Sequence, residues 1–425
     1  MPKLAAAAIL LITVAIAALA DLDGSYVLPS DHPAIQYATG AVRDPVSRLA
    51  TRLKSVKATL AFDPNHGYLP AVLKELNVPI SSQVLVFSKT SFQAPRIAPR
   101  TPRALYFNDE VSVGWVQGGD VVELAALDPV RGMVFYTLDQ DPAGKPSIER
   151  RGECLQCHAS GGTLGVPGMV VRSVFTEPSG MPMFQAGGYV TDHRSPLRER
   201  WGGWYVTGTH GDQRHMGNLV VTNKENPRDI DTAKGANVTS LANRIDTGAY
   251  LSPHSDIVAL MVLEHQTRMT NLIIRVGWEA RMALHNQRAL NKELGEPIDQ
   301  ISDSTRHRIE SAADELLKYM LFQDEATLSA PVRGTSSFAA DFAARTPRSL
   351  RDFDLKTRLF RNQCSYMIYS EAFDALPDEA RNYIYARLYA ILQGTEKSSL
   401  SPESRSSILD ALRMAKRGLP AYWKS

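Results

Sequence analysis

The sequence contains few cysteines, which excludes the proteins that are built around several disulfide bonds. Three cysteines occur in 425 residues, and two of them, Cys154 and Cys157, are only three positions apart. A small disulfide scaffold uses four or more cysteines. A structural zinc site of the common kinds would need a second pair of ligands, and only Cys364 is left. The close pair therefore calls for another explanation.

An excess of charge of either sign is also lacking. Lysine and arginine number 47, aspartate and glutamate 45, and the formal net charge is +2. This balance gives no general attraction to nucleic acid or to an anionic membrane surface. With 44% hydrophobic and 22% charged residues, the composition indicates an ordinary globular protein.

Long apolar runs are absent after residue 20, so no membrane span of about 20 residues is expected beyond that point. Residues 1–20 have the pattern of a secretory signal peptide. Lys3 supplies a positive charge, residues 4–19 are rich in Ala, Leu, Ile and Val, and Ala18-Leu19-Ala20 is a small-x-small cleavage site before Asp21. We therefore expect a bacterial protein exported to the periplasm or cell exterior.

The close cysteines belong to the pentapeptide Cys154-Leu155-Gln156-Cys157-His158. Two thiols at this spacing can each bond to a vinyl group on one edge of a porphyrin, and the following imidazole can bind the iron. A thioredoxin-like redox pair is an alternative, but the preceding Arg150-Arg151-Gly152-Glu153 does not have the strand and helix context of that motif. A simple disulfide is the other alternative.

This pentapeptide resembles the haem-attachment motif of c-type cytochromes. The resemblance implies one covalent haem c, thioether bonds from Cys154 and Cys157, and His158 as the proximal axial ligand. It also implies one-electron transfer with a redox partner protein. The motif begins 134 residues after the signal peptide and is surrounded by strand signals. The compact all-helical cytochrome c fold is therefore not expected here.

The pattern of residues predicts an α+β fold in three regions after the signal peptide. Residues 21–82 are a mixed segment with short helices near 46–53 and 70–76, residues 83–250 are rich in strand signals, and residues 251–425 have helical periodicity. The first strands form an antiparallel meander in this prediction, and the haem motif follows them. The predicted strands are 84–87, 111–116, 121–126, 133–138, 169–175, 183–185, 204–207 and 219–221.

Helix signals dominate the last region. Ser255 is the predicted cap of a helix that runs past Leu272, and Ser401 with Pro402 is the predicted start of the last helix. Cys364 shares a predicted helical face with apolar residues, which indicates a buried, inert thiol. The predicted helices are near 256–272, 305–322, 355–369, 378–392 and 402–416.

The sixth position of the iron distinguishes two functions. If a strong distal ligand occupies this position, the iron can only exchange electrons and the protein is an electron carrier. If the position is open, the protein is a haem enzyme of peroxidase or oxidoreductase type, or a sensor of small molecules. The candidate distal ligands are His265, which lies between Met261 and Met269 at four-residue spacing, and His215 or Met216 in a loop. Packing in the core is the alternative for the first group, and a polar surface turn for the second. Further options are Met169, Met181, Met183 and His193.

Two other clusters each have a functional and a structural explanation. Arg96, Arg100 and Arg103 lie in a Pro-punctuated stretch that could attract an acidic partner or neutralise haem propionates, although a solvated loop is the simpler interpretation. His210 and His215 could bind a second metal, but no carboxylate or cysteine completes a recognisable ligand pattern. The sequence identifies no catalytic residue.

Overall fold

The computed structural model describes residues 27–346 and 349–424, and the expected signal peptide at residues 1–20 lies outside them. Within these ranges an antiparallel sheet of seven strands is followed by a mainly helical region. The predicted α+β class is therefore confirmed. Among the residues that the structure describes, no helix is both long and apolar enough to cross a membrane.

The sheet is a meander extended by one later strand. Strands β1 to β6 pair with their neighbours in chain order, and β9 pairs with the free edge of β1. The longest pairing joins β4 to β5, where the side chain of Asp128 accepts hydrogen bonds from Val130 N and Arg131 N and thereby holds the tight turn. The strands are β1 (Val84–Val86), β2 (Arg103–Phe107), β3 (Val111–Trp115), β4 (Val121–Asp128), β5 (Gly132–Asp139), β6 (Ile148–Arg150) and β9 (Trp204–Tyr205).

Two small sheets lie outside the meander. One is a hairpin of β7 (Arg172–Val174) with β8 (Gly188–Val190), and the other pairs β10 (Gly208–Thr209) with β11 (Arg333–Gly334). The expected strand at 169–175 is therefore shorter than predicted. The strand expected at 183–185 is wrong, because Phe184–Ala186 forms a 3-10 turn that closes the β7–β8 hairpin.

The long helix Ile257–Leu294 crosses the sheet and brings the C-terminal region against it. Its cap is Asp256, whose Oδ1 accepts from Val258 N and Ala259 N. The predicted cap, Ser255, is wrong by one residue. Its hydroxyl instead donates to Tyr205 O and accepts from Leu85 N, so this side chain ties the start of the helix to the sheet.

Most of the other predicted helices are present, and one is wrong. The segment 355–369 contains only a 3-10 turn at its end, because the Asp354 side chain accepts from the amides of residues 356, 357 and 358 and bends the chain. Cys364 is nonetheless fully buried, as predicted. The α-helices are α1 (Pro45–Lys54), α2 (Leu69–Glu75), α3 (Leu155–His158), α4 (Ile257–Leu294), α5 (Asp303–Met320), α6 (Phe338–Ala344), α7 (Glu371–Asp374), α8 (Asp378–Gln393) and α9 (Pro402–Ala415).

The larger of two hydrophobic clusters in the described residues joins the sheet to the helices around it. On one face, the buried Asp44 caps α1 and also accepts a hydrogen bond from the Tyr136 hydroxyl of β5. On the other face lie α4 and the cysteine-containing helix α3. This second face carries the candidate site, and the three sequence regions remain a predicted division of the chain.

Candidate haem attachment site

The two cysteines lie on one short helix at the surface. Residues 151–154 separate helix α3 from β6, and its first turn is closed by hydrogen bonds from Cys157 N and His158 N to Cys154 O, at 3.2 and 3.0 Å. Cys157 is exposed, Cys154 is half-buried, and neither forms a disulfide. Two reduced thiols are therefore presented about one helical turn apart, as attachment to one edge of a porphyrin requires.

The imidazole of His158 is held in the tautomer that binds a metal. Its Nδ1 lies 2.9 Å from Gly168 O. A carbonyl only accepts, so Nδ1 carries the proton and Nε2 carries the free lone pair. Among the described residues, Nε2 has no hydrogen-bond partner. Burial lowers the pKa of His158, which keeps the ring neutral, as a ligand must be.

The ring of His158 is oriented by an aromatic neighbour in the sheet. The centroids of the His158 and Phe135 rings are 4.6 Å apart, with the planes tilted by 38°. Phe135 is in β5 and is itself buried. A backbone hydrogen bond from Gly168 N to His158 O, 2.9 Å long, fixes the end of α3 from the other side. The axial-ligand candidate is thus fixed before any cofactor binds.

The long helix α4 holds the chain segment next to Gly168 in place. The buried side chain of Asn271 donates from Nδ2 to Met169 O at 2.7 Å and accepts from Met169 N at 3.1 Å. A β-carbon at Gly168 would overlap Asn271 Oδ1, so this close approach requires glycine at that position. Sequence reasoning did not identify Gly168 or Asn271. The pairing joins residues about 100 positions apart, and no local pattern reports it.

Charged groups lie on the same face of the sheet. Arg103 of β2 and Glu123 of β4 form a half-buried ion pair. Both charges act on His158, together with that of Arg172. Burial raises the pKa of Cys154, and Glu153 and Glu123 raise it further. The Cys154 thiol is therefore held in its protonated form, which is the less reactive one.

Apolar side chains near the 3-10 turn that follows α3 are partly or fully exposed to solvent. Val170 and Val190 both lie within 4 Å of the position that a β-carbon at Gly162 would take, a few residues after the motif. Tyr189 and Val190 are 36% and 47% exposed, although a strand of this composition is normally buried on at least one side. Such a surface suits contact with a flat apolar ring.

These observations test whether the residues fit a haem, and they do fit. Two free thiols, one neutral imidazole with an unused lone pair, an aromatic ring tilted against it and a partly exposed apolar surface lie close together. Within the described ranges, no three His, Cys, Asp or Glu side chains are grouped so as to hold a bare metal ion. A cofactor that brings its own nitrogen ligands needs no such group.

His265, the first candidate for the distal position, is fully buried in α4 and uses both ring nitrogens. Its Nδ1 lies 2.8 Å from His193 Nδ1, and its Nε2 lies 2.8 Å from Ser365 Oγ. The ring stacks on Tyr319 and Phe322, and burial lowers its pKa to about 3. Binding to the iron would require this network to break. The assignment stays a prediction.

His215 and Met216 are likewise engaged elsewhere. His215 Nδ1 accepts from Gly217 N at 3.0 Å, which puts the ring proton on Nε2. Met216 is buried, and its sulfur contacts the hydroxyl of Ser173 in β7 at 3.6 Å. The structure shows no contact between His158 and any of the three distal candidates. These two assignments also stay predictions.

The same tautomer argument weighs against a second metal at His210 and His215. The two rings are 4.8 Å apart, and His210 Nε2 accepts from Asn237 N. Each ring therefore accepts a backbone N–H with one nitrogen and carries its proton on the other. Neither offers a lone pair to a cation unless this arrangement changes.

Of Arg96, Arg100 and Arg103, only Arg103 belongs to the candidate site. Arg96 and Arg100 are exposed, and Arg96 pairs with Asp120. Arg103 begins β2, a strand that sequence reasoning missed because proline and arginine precede it. The loop interpretation is therefore wrong for Arg103.

Comparisons with family models, with curated proteins and with solved structures find no match to this chain.

Proposed function

We propose that the protein is an exported c-type cytochrome with one covalent haem, which exchanges single electrons with a redox partner protein. The observation that carries this proposal is the hydrogen bond from His158 Nδ1 to Gly168 O beside two free thiols. It leaves Nε2 as the one uncommitted nitrogen of a fixed, neutral ring. This arrangement is typical of histidines that ligate metals.

The residues of the site would have distinct roles toward the haem. Cys154 and Cys157 would hold the cofactor covalently, and His158 would bind its iron. Bound haem supplies an iron that alternates between the ferrous and ferric states. Phe135 and Gly168 keep the imidazole in place, and the exposure of Cys157 puts the attachment point where a partner can approach.

The test is the visible spectrum of protein produced in a host that attaches haem to exported proteins. We expect a c-type α-band after reduction and retention of haem in denaturing acid. The double variant Cys154→Ala/Cys157→Ala should lose covalent haem, whereas Cys364→Ala, the matched control at a buried thiol, should keep it. Wild-type protein without the band would overturn the proposal.

Export is part of the same proposal, because haem is attached to such motifs outside the cytoplasm and the sequence begins with a signal pattern. Cell fractionation should find the haem-bearing protein in the periplasm or the medium. Residues 1–20 replaced by a cytoplasmic start should give protein with free thiols and no haem.

A second candidate is a haem enzyme or a small-molecule sensor with an open sixth position. The contacts of His265 and His215 favour it, because both rings have their hydrogen bonds within the protein. The two functions differ in the ferric spectrum. A low-spin form that does not bind cyanide supports the electron carrier, and a high-spin form that binds cyanide supports the enzyme or sensor.

A further inference from the structure

An ion pair lies on the sheet next to the attachment site. Arg103 in β2 and Glu123 in β4 are separated by β3, and the guanidinium reaches Glu123 by passing over Gly114. Gly114 allows this path, because a β-carbon there would overlap the arginine. The two side chains are only 19% and 15% exposed. Pairs at this depth interact more strongly than surface pairs, because water screens them less.

The strand register connects this pair to His158. Phe135, whose ring packs at a tilt against the imidazole, pairs with Ala125 in β4, and Glu123 is two residues away on the same face. Diagonal neighbours in such a ladder are about 7–8 Å apart. His158 and Glu123 are thus both neighbours of one phenylalanine ring.

The pair is unevenly satisfied. Glu123 accepts from Arg103, from Ser91 Oγ at 3.0 Å and from Gln93 Nε2 at 3.0 Å. Arg103 Nε is buried and, within the described residues, has no acceptor. Arg172 is the other charge that acts on His158. The Glu123 carboxylate is therefore surrounded by hydrogen-bond donors, whereas Arg103 retains one N–H donor without an acceptor.

We propose that Arg103 and Glu123 set the reduction potential of the bound haem in opposite directions. This inference rests on the proposed function. One-electron reduction makes the iron centre less positive by one charge. A nearby cation favours the reduced form and raises the potential, and a nearby anion favours the oxidised form and lowers it.

The experiment compares the midpoint potentials of Arg103→Gln and Glu123→Gln with that of the wild type. We expect Arg103→Gln to lower the potential and Glu123→Gln to raise it. A unit charge on the order of 10 Å away at an effective dielectric constant of about 20 changes the equilibrium constant roughly tenfold. For one electron, a tenfold change is ~59 mV.

Two controls separate charge from structure. Arg103→Lys and Glu123→Asp keep the charges and should stay near the wild-type potential. Arg387→Gln removes the cation of the ion pairs with Asp314 and Glu396 in the C-terminal helical region and should leave the potential unchanged. The double variant Arg103→Gln/Glu123→Gln should return towards the wild type, because the two contributions cancel.

The signs decide the outcome. Each single variant breaks the same ion pair, so a purely structural effect would shift both potentials in the same direction, and that result would overturn the inference. Unchanged potentials in both variants would overturn it as well. Wild-type protein without any haem band would instead refute the proposed function, and this inference with it.

Discussion

Replacement of Asn271 by alanine should lower the free energy of unfolding and loosen the hydrogen bond between His158 and Gly168. Asn271 is 1% exposed and makes two hydrogen bonds to the backbone of Met169, at 2.7 and 3.1 Å. Its removal leaves a half-buried N–H and C=O without partners. A net loss of about 1 kcal/mol per hydrogen bond, and up to about 3 kcal/mol for a buried orphaned group, predicts a destabilisation of ~2–4 kcal/mol.

The same substitution should raise the midpoint potential of the haem-bearing protein. Asn271 fixes the segment that presents Gly168 O to His158 Nδ1. In the proposed haem protein, that hydrogen bond would make the imidazole a stronger donor to iron and would favour the ferric state. When the bond loosens, the ferric state loses stability relative to the ferrous state.

The control is Asn291→Ala, at the far end of the same helix. Asn291 is also fully buried, and its Nδ2 donates to Pro297 O and Gln300 O at 2.9 and 2.8 Å. Urea unfolding followed by circular dichroism should show similar losses for the two variants. Only Asn271→Ala should change the potential. Equal potentials in both variants, or a loss below about 0.5 kcal/mol for Asn271→Ala, would refute the reasoning.

Three further outcomes are expected. Asp256→Ala should lower the free energy of unfolding by ~3 kcal/mol, because this buried cap of α4 also accepts from Thr335 N and Ser336 N. Ser401→Ala, which removes the exposed cap of α9, should lower it by about 1 kcal/mol. Thermal unfolding measures both losses. Burial lowers the pKa of His215 to about 3, so below pH ~6.5 the unfolded chain binds a proton at His215 that the folded protein does not. The free energy of unfolding of the wild type should therefore fall by ~1.4 kcal/mol per pH unit as the pH drops from ~6.5 towards 3. The urea midpoints of wild type and His215→Gln should converge between pH 7 and 4.5. In haem-free protein a thiol reagent should label Cys157 rapidly and Cys364 only after unfolding. Cys364 is fully buried, and burial raises its pKa to about 12. Fast labelling of Cys364 in the native protein would contradict this packing.

The fold class could be predicted because its signals are local. Short runs of β-branched and aromatic residues cut by turn residues mark β3, β4 and β5, and Ser401 with Pro402 marks the start of α9. The prediction was wrong where a short polar contact decided the local structure. Asp354 bends a segment with helical periodicity, and Asp256 takes the capping role from Ser255.

The sequence by itself determined the chemistry that this site could offer, because the spacing of Cys154, Cys157 and His158 is contained in five consecutive residues. Only the tertiary structure decided which nitrogen of His158 is free, since Gly168 O and the Asn271 side chain behind it reach the ring through contacts between distant segments. The same is true of Arg103 and Glu123, which come together on one face because of the register of three strands. The spacing of residues along the chain is fixed by the sequence, whereas hydrogen-bond partners and electric fields arise from residues that only the fold brings together.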